Sequence, residues 1–394
     1  MLPYKGTVDI DGKVINWQTT FDQSVKFKCI RCGLSCIGAD VQLTEKEIEK
    51  IKSVTEKEFY EEYTTPFGNM RRRLKKINNR CIFLDDKLNC TIYQNRPLLC
   101  REYPFKVLFT AKNTSVIDTT LHCSCIIKKE FTKENEVDFG QLVKDHYLNS
   151  PEDAEDVELF NEIVQNVKKN LDSPEAVKKC WNIIIEKLVS PLELCALMAN
   201  FQDARDKITR LNFSNVDNYI SSALKNDCPE TDWEAFMKNF LAKISGDKTN
   251  FVGLETATLK KYNMLLQGDK IEFSCHYTNE KIILSPDSIQ RKIISKEGLE
   301  ILKEFMQKFW DRAVTNCDFY LVMDYLKEKT GRFLPSITIQ LDAARFALHC
   351  FEFFLHIISE KNKHEDITAD DVKETILILD GAFLTVTSSI MPKI

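Results

Sequence analysis

Glycine is scarce in this chain, 12 residues in 394, and none lies in a Gly-x-Gly-x-x-Gly or Walker-type loop. Ordinary dinucleotide and P-loop sites therefore have no sequence support. Neither does the glycine-rich loop of a Rossmann-like methyltransferase. No stretch approaches the roughly 18 uninterrupted apolar residues that a membrane span requires. The formal net charge is only −5, so there is no clear nucleic-acid signal and no global case for an anionic membrane. Internal repeats, low-complexity linkers, a Ser/His/Asp arrangement and a His-Glu-x-x-His motif are also missing. The chain starts Met1-Leu2-Pro3-Tyr4-Lys5 without an apolar signal segment, which leads to the expectation of a soluble, cytoplasmic protein.

Cysteine is plentiful. Of 14 cysteines, a dense group falls early: Cys29, Cys32, Cys36, Cys81, Cys90, Cys100, Cys123 and Cys125. A disulfide framework would need an oxidising compartment, and a chain of this length does not need such staples to fold. Buried cysteines acting as small hydrophobes account for Cys180, Cys195 and Cys350, which sit inside helical apolar patterns. They do not account for Cys29-Ile30-Arg31-Cys32-Gly33-Leu34-Ser35-Cys36. Thiolates are soft ligands for zinc or iron–sulfur clusters, and a Cys-x2-Cys step lets two sulfurs from one tight turn meet the same centre. Gly33 fits that turn because glycine tolerates positive φ. All eight early cysteines are candidate metal ligands.

The surrounding pattern is α+β. Residues 4 to 28 alternate around Asp11-Gly12, which predicts a short hairpin leading into the cysteine turn. Thr44 and Glu47 form a capping box that opens a helix through about Val54. A second helix is expected near Glu56 to Tyr63. The basic run Arg71 to Lys76 reads as a solvated helix face, with phosphate or an acidic partner as the competing reading. Cys81 to Leu84, a turn at Asp85-Asp86-Lys87, and Leu88 to Tyr93 predict a hairpin that draws Cys81 and Cys90 together. Pro97 can start a helical turn presenting Cys100, and Pro104 ends it. Strands are expected at Phe105 to Ala111 and Ser115 to Leu121. Arg96, Arg101 and Tyr103, beside Cys100, are candidates for binding a cofactor or an anionic group or for bonding to cluster sulfurs. The competing reading pairs the arginines with Glu102 or Asp85. His122 beside Cys123 reads as structural.

Beyond about Lys128 the pattern becomes amphipathic helices. They are expected over Asp153 to Leu171, Ala176 to Leu188, Leu192 to Leu211, Val216 to Leu224, Trp233 to Ile244, Lys296 to Asn316, Asp318 to Lys329 and Ile337 to Ser359. A final helix is capped near Thr368, and a small hairpin is expected within 268–284. The expected architecture is a small cysteine-rich domain, residues 1–128, followed by a large mainly α-helical domain, residues 129–394.

The cysteine turn, the capped helix at Leu43-Thr44, the Cys81 and Cys90 segments, and Arg96-Pro97-x2-Cys100-Arg101-x-Tyr103-Pro104 together resemble the YkgJ-type cysteine-cluster family. Its domain is described as zinc- or iron-chelating, and the family includes the flagellin lysine N-methylase. The resemblance covers roughly residues 25 to 126. It implies metal-ligand roles for the matched cysteines, an iron–sulfur cluster of the [4Fe-4S] type with zinc as the alternative, S-adenosylmethionine as a methyl donor, and a protein substrate. The alternative is a non-enzymatic zinc- or iron-binding interaction module. One departure stands out: the family motif commonly ends in two adjacent cysteines, whereas this chain has Ser35-Cys36, leaving Cys123 or Cys125 to supply the missing thiolate.

Overall fold

The computed structural model describes residues 4–19, 27, 29, 33–37, 39–64, 70–78, 80–111, 114–119, 137–149, 162, 165–167, 169, 172–205, 211–225, 232–245, 249–254, 261–267, 270–275, 280–315, 327, 331 and 336–390. Cys32, His122, Cys123, Cys125 and Cys228 lie outside the described residues, as do nearly all of the expected helices at 153–171 and 318–329. The chain is α+β, with sheet in the N-terminal region and mainly helices after it. Two compact units form, the first built chiefly of Met1–Val164 and the second chiefly of Gln165–Val314 and Phe319–Phe383.

The first unit opens with β1 (Lys5–Ile10) and β2 (Lys13–Thr19), joined through Asp11 and Gly12. Both turn residues have positive φ, 52° and 81°, the requirement of a two-residue turn matched to strand twist. The capping box is present in full: Glu47 N–H donates to Thr44 Oγ1 and Thr44 N–H to the Glu47 carboxylate, opening α1 (Glu45–Lys52).

The expected helix near Glu56 to Tyr63 does not form. That stretch contains β3 (Tyr60–Thr64), and the basic run contributes β4 (Met70–Leu74) rather than a helix face. The reason is complementary charge across the pair. Glu61 stands opposite Arg73 and Glu62 opposite Arg72, with Arg73 Nε 2.7 Å and Arg72 Nε 3.2 Å from the respective carboxylates. Cross-strand pairs of opposite charge favour the ladder. Arg72 also pairs with Glu45, and Lys76 reaches Asp40 at 2.7 Å.

Two minimal strands, β5 (Lys76–Ile77) and β6 (Arg80–Cys81), come next, followed by the short helix α2 (Leu98–Glu102). β7 (Phe105–Ala111) and β8 (Thr114–Thr119) complete a sheet of order β1-β2-β8-β7, in which β2 and β8 run parallel. The unit reaches beyond residue 128. Helix α3 (Phe139–Asn149) lays Phe139 and Val143 against Ile10, Ile15, Trp17, Phe105, Val107 and Ile117 of that sheet. A second core joins Ile48 and Ile51 of α1 to Phe59, Leu74, Phe83 and Ile92, with Cys81 and Cys90 packed at its edge.

The second unit contains α4 (Pro174–Glu186), α5 (Pro191–Arg205), α6 (Val216–Ala223) and α7 (Trp233–Ser245). Strands β9 (Thr249–Leu254), β10 (Lys261–Gln267), β11 (Lys270–Cys275) and β12 (Lys281–Leu284) form an antiparallel sheet in reverse sequence order. The hairpin expected near 268–284 therefore extends over two further strands. Helices α8 (Lys296–Thr315), α9 (Ser336–Lys361) and α10 (Ala369–Ile390) follow. Inside this unit, Asp172 and Arg205 form a buried ion pair at 3.3 Å. The Asp172 carboxylate also accepts from Leu211 N–H at 2.7 Å and Ile337 N–H at 3.0 Å, so the buried charge is fully engaged.

Candidate metal centre

A cavity of about 90 Å3 in the first unit is lined by Cys29, Cys36, Cys81, Cys90 and Cys100. The chain gathers these five from three separate local structures. Cys36 ends the tight turn that holds Gly33 at φ 68°. A Cβ on Gly33 would lie 2.5 Å from the Leu88 carbonyl oxygen, so the cysteine turn packs directly on the turn between Cys81 and Cys90. That second turn is an Asx-type turn: Asp85 Oδ1 accepts from Lys87 N–H at 2.9 Å and Asn89 N–H at 2.7 Å. Instead of two regular strands, only a bridge between Leu84 and Cys90 closes it.

Cys100 is presented by α2, whose first turn lacks a cap of its own because Pro97 at the cap position has no side-chain acceptor. The Glu47 carboxylate fills that role, accepting from Leu98 N–H at 2.6 Å while still closing the Thr44 capping box. Glu47 therefore holds α1 and α2 together. At the other end of α2, buried Glu102 meets His146 Nδ1 of α3 at 3.0 Å. The capping box was legible in the sequence. Its second use was not, since a missing cap at Pro97 signals a need without naming the donor.

Electrostatics tie the sulfurs together. The Cys36 thiol is pushed up to about 12, mainly by burial and then by the neighbouring Cys81, Cys90 and Cys29. Cys100 is raised well above an ordinary thiol, first by burial, then by Cys36, Cys81 and Cys90, with the Arg96 guanidinium acting the other way. Cys81 and Cys90 are raised by burial, and each is partly offset by a backbone N–H two residues on, from Phe83 and Ile92. Amide hydrogen bonds to sulfur are a recognised means of stabilising a thiolate and tuning a cluster.

Several thiols facing one space are mutually unfavourable as anions, and a cation among them reverses that penalty. The donor set therefore fits a thiolate-held metal centre. Among the described residues, no three cysteine, histidine or carboxylate side chains already stand at the spacing of a single ion. Cys36, Cys81, Cys90 and Cys100 are free thiols.

The other candidates separate. Arg96 and Tyr103 line the cysteine cavity. Arg96 lies 3.6 Å over the Tyr93 ring and donates through Nε to the Tyr93 carbonyl at 2.9 Å. Neither of the acidic partners considered from the sequence, Glu102 or Asp85, holds it through its carboxylate in those contacts. Arg101 is exposed and lines a different cleft, because consecutive residues on a helix point in different directions. Ser35 also lines the cavity and its hydroxyl bonds to the Cys36 sulfur, so the residue at the departure from the family motif remains in the site.

Residues 28–136 match the family model CxxCxxCC, described as "Putative zinc- or iron-chelating domain". The match spans the segment that carries the cysteine cavity. The chain is similar to the uncharacterized protein MJ0661 of Methanocaldococcus jannaschii, 36% identical over 104 residues, covering 24% of this chain and 56% of that protein. The uncharacterized protein MJ0939 of the same organism is 27% identical over 160 residues, covering 39% of this chain and 52% of its own length. The chain thus spans about half the length of the curated relatives it matches. No solved structure matches. No helix among the described residues is long and apolar enough to cross a membrane.

Proposed function

We propose that the cysteine cavity of the metal-chelating domain holds an iron–sulfur cluster of the [4Fe-4S] type, and that the chain is a methylase-like enzyme acting on protein lysine. The observation that carries the metal reading is the convergence of five described thiols on one cavity, enough for the four thiolates that a [4Fe-4S] cluster or a closed zinc site takes, and the resemblance to the lysine N-methylase family favours the cluster. The N–H donors of Phe83 and Ile92 at two of the sulfurs support the same reading. Bound there, a cluster would supply redox or Lewis-acid chemistry. The protein's own residues would hold it: four of Cys29, Cys36, Cys81, Cys90 and Cys100 by thiolate ligation, and Arg96 by its positive charge.

The catalytic half of the proposal rests on the resemblance to a family that includes a lysine N-methylase. The reaction transfers a methyl group from the sulfonium of S-adenosylmethionine to a lysine amine, releasing S-adenosylhomocysteine and a proton. The deciding experiment is purification without oxygen, followed by metal and acid-labile sulfide analysis and a visible spectrum. Brown protein with near-equal iron and sulfide is expected. Colourless protein with stoichiometric zinc overturns the cluster and favours a non-enzymatic module. Cluster-bearing protein that forms no S-adenosylhomocysteine with lysine-containing protein substrates overturns only the methylase half.

A further inference from the structure

On the first unit, α1, α2, α3, β3 and β4 line a cleft of about 680 Å3 that is distinct from the cysteine cavity. Its charges are unevenly matched. Among its carboxylates, Glu45 and Glu62 are both engaged by Arg72, and Glu47 is occupied by Thr44 and Leu98 N–H. Lys46 and Lys50, one turn apart on α1, and Arg101 on α2 line the same cleft, are exposed, and form no ion pair among the described residues. Beside them two apolar side chains are left open to water, Met70 at 62% exposure and Leu148 at 49%. This locally cationic cleft sits on a chain whose net charge is −5.

We infer that this cleft docks an acidic protein segment carrying aliphatic side chains, the carboxylates meeting Lys46, Lys50 and Arg101 and the aliphatic groups covering Met70 and Leu148. Charge complementarity selects that occupant. Cationic side chains at a rim steer and orient an acidic partner, and the adjoining apolar groups reward contact that a free anion cannot make. A nucleic-acid strand fits less well. Among the described residues, no aromatic side chain lines the cleft to stack a base. The inference does not depend on which metal the cysteines hold.

The test uses the full metal-loaded chain and a labelled peptide alternating glutamate with leucine, followed by fluorescence anisotropy. Binding is expected, weakening as salt rises. The Lys46→Glu, Lys50→Glu double variant is expected to bind about tenfold more weakly with its metal content and helical circular dichroism retained. If that variant loses helix, Leu148→Asn on α3 provides the independent reading, again as weaker binding. An all-glutamate peptide should bind less well than the mixed one. Equal binding by parent and folded variants, full displacement by equimolar inorganic phosphate, or tighter binding of single-stranded RNA would each overturn the assignment.

Discussion

The two units bury cysteine in different company. In the second, Cys180, Cys195 and Cys350 are each at most 6% exposed and sit among aliphatic and aromatic side chains. In the first, Cys29, Cys36, Cys81, Cys90 and Cys100 are half-buried around a shared cavity. Burial raises the thiol in both settings: Cys180 to about 12 and Cys36 to about 12. The secondary causes differ. Around Cys180 they are Lys179, Asp172 and Asp217, whereas around Cys36 they are chiefly other cysteines, opposed by the Ser35 hydroxyl. Burial by itself marks a small hydrophobe. Mutual burial of several thiols marks a site with something to hold.

The largest contrast comes from removing one sulfur from each unit. Cys100→Ser is expected to abolish most metal binding and lower the thermal stability of the first unit, whereas Cys180→Ala should keep full metal content and cost about 1 kcal/mol. Metal analysis beside thermal melts reads both. Equal metal loss in the two variants would erase the distinction between the units. Gly33→Ala comes next, at about 4 kcal/mol, because it combines a left-handed backbone with a Cβ pressed on the Leu88 carbonyl. Denaturant unfolding and metal titration should both register it, and a neutral result would mean that the two cysteine turns are not packed as described.

The second unit has its own ionisable core, and it sharpens the comparison through pH. Burial raises Glu352 from 4.5 to about 7, with Arg291 and the Leu192 N–H opposing and Glu193 adding to the shift. Between those values the folded state holds the extra proton, so stability falls as pH rises from 4.5 to 7. Burial lowers His356 from 6.5 to about 4. There the unfolded state holds the extra proton, so stability rises with pH across 4 to 6.5. Glu352→Gln should remove the falling contribution, gaining about 3 kcal/mol over the parent on passing from acid to pH 8. What remains should rise through the histidine window. Denaturant curves at several pH values measure this, and parallel profiles for parent and variant would contradict the buried-carboxylate account.

A smaller contrast is expected at Glu47. Glu47→Ala should cost about 2 kcal/mol, since it removes acceptors from two helix starts at once. A double-mutant cycle with Cys100→Ser should show coupling through α2. Strict additivity would separate the cap from the metal centre.

The readings that succeeded rest on neighbours in the chain. Asp11-Gly12, Thr44 with Glu47, and Gly33 act within a few residues, so their turn and cap chemistry was visible directly. The long helices of the second unit were visible through their apolar period, although β9 and β10 were missed because Thr249–Leu254 and Lys261–Gln267 depend on each other for pairing. The same dependence explains the error at Glu56 to Tyr63. Taken by itself, Tyr60–Thr64 carries a pattern that a helix accommodates, and only the arginines of Met70–Leu74 opposite make it a strand.

The amino-acid sequence by itself determined the local devices: the cysteine turn, the capping box, the two-residue hairpin and the amphipathic helices, because each is stabilised by interactions a few residues apart. Tertiary structure decided which distant groups share a space. It joined Cys29 and Cys36 to Cys81, Cys90 and Cys100, gave Glu47 a second helix to cap, and sent Arg96 and Arg101 to different clefts. Those outcomes depend on packing between segments tens of residues apart, where burial and charge complementarity, rather than local backbone preference, set the lowest free energy.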